Sequence, residues 1–499
     1  MTGEPQTPAA STSAFAEREV GIRVVSDARR SLVPVELLVG VALRQNPRRA
    51  QLLVSNVLAK HVPTVPGLAI VAAELLGLLV AAELDGAPPP RPLYDRLSTL
   101  LRPPADGNLD GAELASLRAD VAEARVEHPE VTTIGYAETA TGLGQRVAET
   151  IGAYYIHSTR HAAGDRVPFA GFEEEHSHAT SHQLYPARPD WLKPGGTVVL
   201  VDDELSTGTT IVNTIRALHA AVPQSRWVVA SLIDLRSEAD RRRFDALAES
   251  LHTSIAVVAL GFGSIELPPD VSARAAAVLA ALSPGAVTPG SGEVTVLNAA
   301  GESHGAVASL ENARFGVDAR PGMHDDAAAA IAAKLLPLLA GTRTLLLGSE
   351  EFIALPLAVA DHLALSPPDV VTSPSSIHFS TTTRSPIAPL DRPDYAIASA
   401  VTFESHDLTS DGFGPRFAYN LTRAGRRFDT IVFLPEPEAD RHRMLAADGV
   451  AEALRRVCDH VIVALLTSSP ESALHPVSDA EPHRAADPAP AHSEETARP

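Results

Sequence analysis

The 499-residue chain holds a single cysteine and three lysines, Lys60, Lys193 and Lys334. One thiol, Cys458, set in the helix-like pattern EALRRVCDHVIVALL, excludes a disulfide framework and a thiolate metal cluster. It suits a reducing cytoplasm. The scarcity of lysine beside abundant Ala, Arg and Pro reads as genome bias, and it also removes the P-loop, whose G-x-x-x-x-G-K-[ST] needs a lysine that none of the three supplies. A formal net charge of −20 argues against sequence-independent binding to nucleic acid or to an anionic membrane. The N-terminal MTGEPQTPAASTSAFAERE has neither the basic nor the apolar block of a secretory signal. The one long apolar run, Gly67 to Leu84, carries Glu74 and Glu83, which are costly in lipid, so it reads as a buried helix. Small anionic ligands are the partners to look for.

The length suggests two to four domains. Residues 1–20 and 471–499 are rich in Pro, Ala and Ser without apolar periodicity and read as disordered. Residues 21–125 read as a helical leader or hood. In 126–265, strand-like runs at Val131–Tyr136, Tyr154–His157, Val198–Val201, Trp227–Ile233 and Ile255–Leu260 alternate with helical patterns, which predicts a parallel sheet flanked by helices. A Pro-, Gly- and Ser-rich linker with one short strand fills 266–310, and a second α/β unit follows over 311–470. The expected fold class is therefore α/β, with a helical N-terminal leader and a second C-terminal α/β domain. No short-period repeat is present.

The most informative stretch is TVVLVDDELSTGTTIVNTI, from Thr197 to Ile215. Four consecutive apolar residues fit a strand covered on both faces, and ligands collect at the carboxyl ends of such strands, where Asp202, Asp203 and Glu204 stand. Ser206, Thr207, Gly208, Thr209 and Thr210 then lead into a helix; their hydroxyls, amides and the positive helix end suit a phosphate. Acids beside a phosphate seat describe a ribose 5-phosphate. The bland alternative is a helix capped through Ser206 or Thr207.

VVLVDDELSTGTT closely resembles the phosphoribosyl pyrophosphate (PRPP) signature of type I phosphoribosyltransferases. The resemblance implies that Asp202 and Asp203 bind the ribose hydroxyls and that residues 206–210 hold the 5-phosphate. It also implies a pyrophosphate loop after the first core strand, which VTTIGYAETATGLG supplies as Glu138, Thr139, Ala140, Thr141 and Gly142. The long polar segment before the PRPP strand reads as a lid. Arg160 and His161 are its candidates for meeting the pyrophosphate, while Glu174, Glu175, His176 and His178 are candidate lid or acceptor contacts. His176, His178 and His182 also have the composition of a metal site, but a polar lid explains them equally.

A narrower resemblance rests on three further elements: Lys60-His61 at the end of an otherwise apolar helix, GFEEEHSHA at 171–179, and TRSP at 383–386. Together they resemble a phosphoribosyltransferase group of bacterial tellurium-resistance and stress gene clusters with a C-terminal TRSP domain. Lys60 and His61 then become candidate acceptor contacts, and Thr383, Arg384 and Ser385 candidate anion-holding residues of the second domain. The implied activity is Mg2+-dependent transfer of 5-phosphoribosyl from PRPP to a nitrogenous small-molecule acceptor, in nucleotide salvage or synthesis of a nucleotide-like metabolite. The implied partners are PRPP and that acceptor, with neither nucleic acid nor membrane, and a homodimer left open. Two alternatives stay open: a PRPP sensor without transfer, and a bifunctional enzyme whose second domain processes the product.

Overall fold

The computed structural model describes residues 11–44, 50–102, 109–161, 163, 166–173, 181–281, 290–300, 313–366, 376–407 and 412–466. The chain opens with α1 (Ala14–Val20), β1 (Arg23–Ser26), α2 (Val35–Leu38) and the antiparallel hairpin β2 (Val39–Leu43) with β3 (Gln51–Ser55). Helices α3 (Pro66–Asp85), α4 (Arg91–Leu100) and α5 (Gly111–Glu123) follow. Next come β4 (Thr132–Gly135), α6 (Ala140–Thr150), β5 (Tyr154–His157), the hairpin β6 (Ala170–Glu173) with β7 (Ser181–Leu184), and β8 (Thr197–Leu205). The first unit then runs through α7 (Thr209–Ala221), β9 (Arg226–Asp234), α8 (Glu238–Leu251), β10 (Ser254–Glu266) and α9 (Val271–Ala281).

The second unit contains β11 (Glu293–Asn298), β12 (Val317–Asp318), α10 (Asp325–Leu335), β13 (Arg343–Gly348), α11 (Ala354–Leu365) and β14 (Ser376–Thr381). After these come the hairpins β15 (Ala400–Glu404) with β16 (Pro415–Tyr419) and β17 (Thr422–Arg423) with β18 (Arg426–Arg427). The chain continues through β19 (Thr430–Leu434), α12 (Arg441–Met444), α13 (Val450–Arg455) and β20 (His460–Leu465).

Two sheets result. The first has the order β1-β10-β9-β8-β4-β5-β12, parallel from β10 to β5 with an antiparallel strand at each edge. The second, β11-β20-β19-β13-β14, is parallel throughout. Each is covered on both faces, which is why its central strands are continuous apolar runs. Val198 to Val201 and Leu345 to Leu347 are buried completely.

The α/β expectation stands, but the units are laced together more than the sequence suggested. The 21–125 leader is not all helical: β1 extends the first sheet, and LLVS is one arm of a hairpin because its apolar residues are too few to cover a helix face. Lys60 and His61 therefore lie in a loop after β3, not at a helix end. The linker strand β11 pairs with β20 of the second sheet, while β12, from the second unit, pairs with β5 of the first. Ile387, Tyr395, Ile397 and Tyr419 belong to the core of the first unit.

Helix α3 is long and apolar enough to cross a membrane, yet 83% of that window is buried inside the fold. Glu74 is tolerated there because Arg125 reaches it at 2.6 Å. Cys458 lies between α13 and β20 and not in a helix. It is buried, and burial pushes its thiol up to about 11, so it is a small core residue and not a reactive thiol.

Candidate active site

Strands β4 and β8 are neighbours in register, Gly135 opposite Val201, so the segments that leave their carboxyl ends begin side by side. Strand β8 is longer than its apolar run. Asp202 and Glu204 remain paired with β9 opposite Ser231 and Ile233, which holds the acidic stretch in extended backbone. Asp202, Asp203 and Glu204 are half-buried, and the Asp203 amide donates to Asp202 Oδ1 at 3.0 Å.

The loop that follows turns at Gly208, the N-cap of α7, with φ +73°. A Cβ there would lie 2.6 Å from the Phe244 ring, so both conformation and space call for glycine. Ser206 is exposed, and Thr207, Thr209 and Thr210 are half-buried. Thr207 Oγ1 and Thr209 Oγ1 are 3.0 Å apart, and Arg243 donates to Thr209 Oγ1 at 3.3 Å. No acid stands in the first turn of α7, which leaves the positive end of the helix free of a competing carboxylate. Beneath the loop, Arg236 pairs with buried Asp234 and lies over Phe244 at 4.2 Å.

After β4 the arrangement changes from hydroxyls to charge. Glu138 is buried with Lys60 Nζ 3.3 Å from one carboxylate oxygen and Arg384 Nε 3.4 Å from the other, and Lys60 also donates to Thr139 Oγ1 at 2.6 Å. Burial alone would raise this carboxyl, but Lys60, Arg384, Arg160 and a hydrogen bond from Thr383 hold it at about 2. Arg384 is shared with Glu350, 3.6 Å away, whose other oxygen accepts from Arg416 at 2.5 Å. Burial and the nearby Glu138 charge push the Glu350 carboxyl up, so the two acids that share Arg384 move in opposite directions.

Glu351 is the mirror of Glu138 across the domain boundary. It accepts from Thr159 Oγ1 at 2.6 Å and from the Arg160 amide at 2.8 Å, and its own carbonyl accepts from Thr141 Oγ1 at 2.8 Å. Burial works against the charge, but His161, Arg314 and His157 hold the Glu351 carboxyl at about 2. The buried His161 is correspondingly raised: Glu351 and Glu436 outweigh its desolvation.

The structure thus brings Lys60, Glu138, Thr139, Thr383 and Arg384 into one cluster from three distant stretches. Ala140, Thr141 and Gly142 form the first turn of α6, where a Cβ on Gly142 would lie 2.4 Å from Ile353 of the second domain. His61 does not join the charged cluster through its ring. It packs against Tyr419, and burial together with Lys60 keeps its imidazole well below the usual histidine range. Ser385 contributes its carbonyl, which accepts from Tyr419 at 2.6 Å.

Glu174, Glu175, His176 and His178 lie outside the described residues. His182 is buried, with Nδ1 2.9 Å from Ser158 Oγ and Nε2 3.3 Å from Arg160, so its ring is engaged in the fold. No group of three or more His, Cys, Asp or Glu among the described residues has the arrangement of a metal site. Arg314 and Glu436, paired at 2.8 Å, and Arg243 carried no motif and were invisible in the sequence.

A parallel sheet whose adjacent strand ends carry acids, a hydroxylated loop at a helix N-terminus and a cluster of cations is an arrangement in which open sheets bind anionic ligands. Residues 38–264 match the family model for phosphoribosyl transferases, and residues 311–454 match the model for the TRSP domain found C-terminal to that transferase. The two matches stand in the order that the second description requires and take in about three quarters of the chain. The chain belongs to this phosphoribosyltransferase family and carries its TRSP domain.

Similar solved structures include the adenine phosphoribosyltransferase of Rhodothermus marinus, 22% identical over 33% of this chain and 97% of that one, with a TM-score of 0.22. The Trypanosoma brucei enzyme, solved with AMP, pyrophosphate and ribose-5-phosphate, is 16% identical over 30% of this chain and 69% of its own (TM-score 0.21). The Giardia lamblia enzyme, complexed with 9-deazaadenine, is 20% identical over 30% and 80% (TM-score 0.21). Among curated proteins none matches the chain.

Proposed function

We propose that the chain transfers 5-phosphoribosyl from PRPP to a nitrogenous base or base-like acceptor, releasing pyrophosphate, in the cytoplasm. The observation that supports this reading is the register of β4 against β8, Gly135 opposite Val201, so that the segments bearing Glu138–Gly142 and Asp202–Thr210 leave neighbouring strands side by side. Asp202 and Asp203 grip the ribose hydroxyls, while the hydroxyls and amides of Ser206 to Thr210 hold the 5-phosphate. The Glu138–Gly142 segment seats the pyrophosphate. Glu138, ionised throughout the physiological range, gathers Lys60, Arg384 and Arg160 beside that seat. His61 and the 174–178 lid segment contribute to the acceptor side.

Charge develops on the ribose ring and on the departing pyrophosphate, so catalysis rests on positioning and electrostatic stabilisation, with no protein nucleophile. The half-buried Asp202 and Asp203 would hold a Mg2+–PRPP complex through its ribose hydroxyls, and the ion would neutralise charge on the pyrophosphate.

The test is pyrophosphate release from PRPP and Mg2+ across a panel of bases and a cell extract. Release is expected with at least one acceptor, and Asp202→Asn with Asp203→Asn should reduce it by at least about 10²-fold while far-UV circular dichroism is unchanged. PRPP binding without release for any acceptor would replace transfer with sensing.

A further inference from the structure

The second sheet has its own ligand-binding geometry. From β13 the chain crosses to β14 on one side, while β19 and β20 lie on the other, so the strand order reverses between β13 and β19. In open parallel sheets such a reversal leaves a crevice outside the carboxyl ends of the two strands, and ligands bind there. The residues leaving those ends are Glu351 to Leu355 after β13, and Glu436 and Pro437 after β19. All of them line one cavity whose far wall is Thr141, Gln145 and His157 of the first unit.

The lining has a specific chemistry. Ala313, Phe352, Ile353, Leu355 and Pro437 make most of the surface apolar. The Arg314 guanidinium faces two carboxylates, Glu436 at 2.8 Å and Glu351 at 3.8 Å, so the wall has no surplus positive charge with which to hold a phosphate. Two buried imidazoles complete it. His157 Nδ1 is 2.9 Å from the Ser158 carbonyl and donates to it, which makes Nε2 an acceptor. His324 is only 7% exposed; its Nε2 is 2.6 Å from Gln145 Nε2 and accepts from it, so the proton is on Nδ1, which has no partner among the described residues. A buried donor without an acceptor is costly, and a ligand with a ring nitrogen or carbonyl relieves it. Burial pushes both imidazoles down, His157 below its ordinary value and His324 to about 4.

We infer that this crevice is a second small-molecule site, centred on the TRSP domain and meeting the pyrophosphate loop at Thr141, that takes an uncharged planar nitrogen heterocycle such as a nucleobase or the base of a nucleoside. His324 Nδ1–H donates to the ring, His157 Nε2 accepts from it, and Phe352, Leu355 and Pro437 cover its apolar surface. The inference does not depend on transfer from PRPP.

The test uses the full chain carrying Asp202→Asn and Asp203→Asn, so that turnover does not consume the probes. Adenine, hypoxanthine, cytosine, nicotinamide, adenosine and cytidine are titrated by calorimetry and saturation-transfer NMR. At least one is expected to bind, and Ala354→Trp, which fills the crevice from a half-buried position, and His324→Leu, which removes the donor, should each weaken it by about tenfold or more. In the background with Asp202 and Asp203 intact, both should leave PRPP binding unchanged. An azido-substituted form of the bound heterocycle should photolabel peptides 313–324, 351–357 or 436–437. Failure of every probe to bind, binding indifferent to both substitutions, or labelling confined to 39–62 and 166–184 overturns the inference. If Ala354→Trp does not fold, the His324→Leu titration and the photolabelling decide it.

Discussion

The two strand ends at the centre of the first sheet, proposed to hold the two ends of one anionic substrate, are built differently. After β8 the chain offers hydroxyls, amides and a helix end, half-exposed, with acids confined to the strand itself. After β4 it offers a buried carboxylate surrounded by cations from a loop some eighty residues upstream and a domain some 240 residues downstream. The first is written in thirteen consecutive residues, with Arg243 reaching Thr209 from α8. The second takes Lys60 from the first unit and Arg384 from the docked TRSP domain. A seat made of backbone dipoles takes its shape from neighbouring residues, whereas a cluster made of long-range ion pairs takes its shape from assembly of the whole chain.

The strongest way to break this contrast is to remove the second domain. A chain ending at residue 312 should lose cooperative thermal unfolding and PRPP turnover, since Ile387, Tyr395, Ile397 and Tyr419 fill the first unit's core and the Leu43 amide donates to Tyr395 Oη at 2.7 Å. A folded, active fragment would make the first unit self-sufficient. Arg384→Met tests the interface alone. Leaving Glu138 and Glu350 without their shared partner should cost about 3 kcal/mol in urea unfolding and lower PRPP kcat/KM. A loss below about 1 kcal/mol would show the pair to be solvated in practice.

On the β8 side, Gly208→Ala should cost about 1–3 kcal/mol, because φ is positive and the added methyl meets Phe244, and it should weaken PRPP binding. Adding Phe244→Leu recovers the steric part and leaves the conformational part. The smallest effect concerns pH. Burial and Glu436 push the Asp407 carboxyl up to about 7. The native state then holds a proton that the unfolded chain has lost between about pH 4 and 7, so this group makes stability fall as pH rises through that window. Asp407→Asn should flatten the fall, measured as urea midpoints from pH 4 to 8; an unchanged slope would place Asp407 in contact with solvent.

The legible parts were those coded by adjacent residues. Val198 to Val201, the acids that follow and the small-residue loop specify strand, turn and helix N-terminus through local backbone preferences. The strand runs TLLLG and TIVFL announce the second parallel sheet for the same reason. What misled was short range without context: LLVSNVLAKH has the apolar content of a helix or a strand, and only its pairing with Val39 to Leu43 decides for the hairpin. The pattern around Cys458 likewise ran a helix end into a strand, because both are apolar and no glycine or proline separates them.

The sequence by itself determined the strand, the acids and the hydroxylated turn into a helix on which the proposed phosphate seat rests, since these need nothing beyond neighbouring residues. Tertiary structure alone decided that Lys60, Glu138 and Arg384 meet, that Glu351 reaches Thr159 and Arg160 across the domain boundary, and that β1 and β12 close the edges of the first sheet. Ion pairs and edge pairings between distant segments have no local period or spacing to betray them. They are fixed when the apolar faces of the two sheets and their shared helices are buried together.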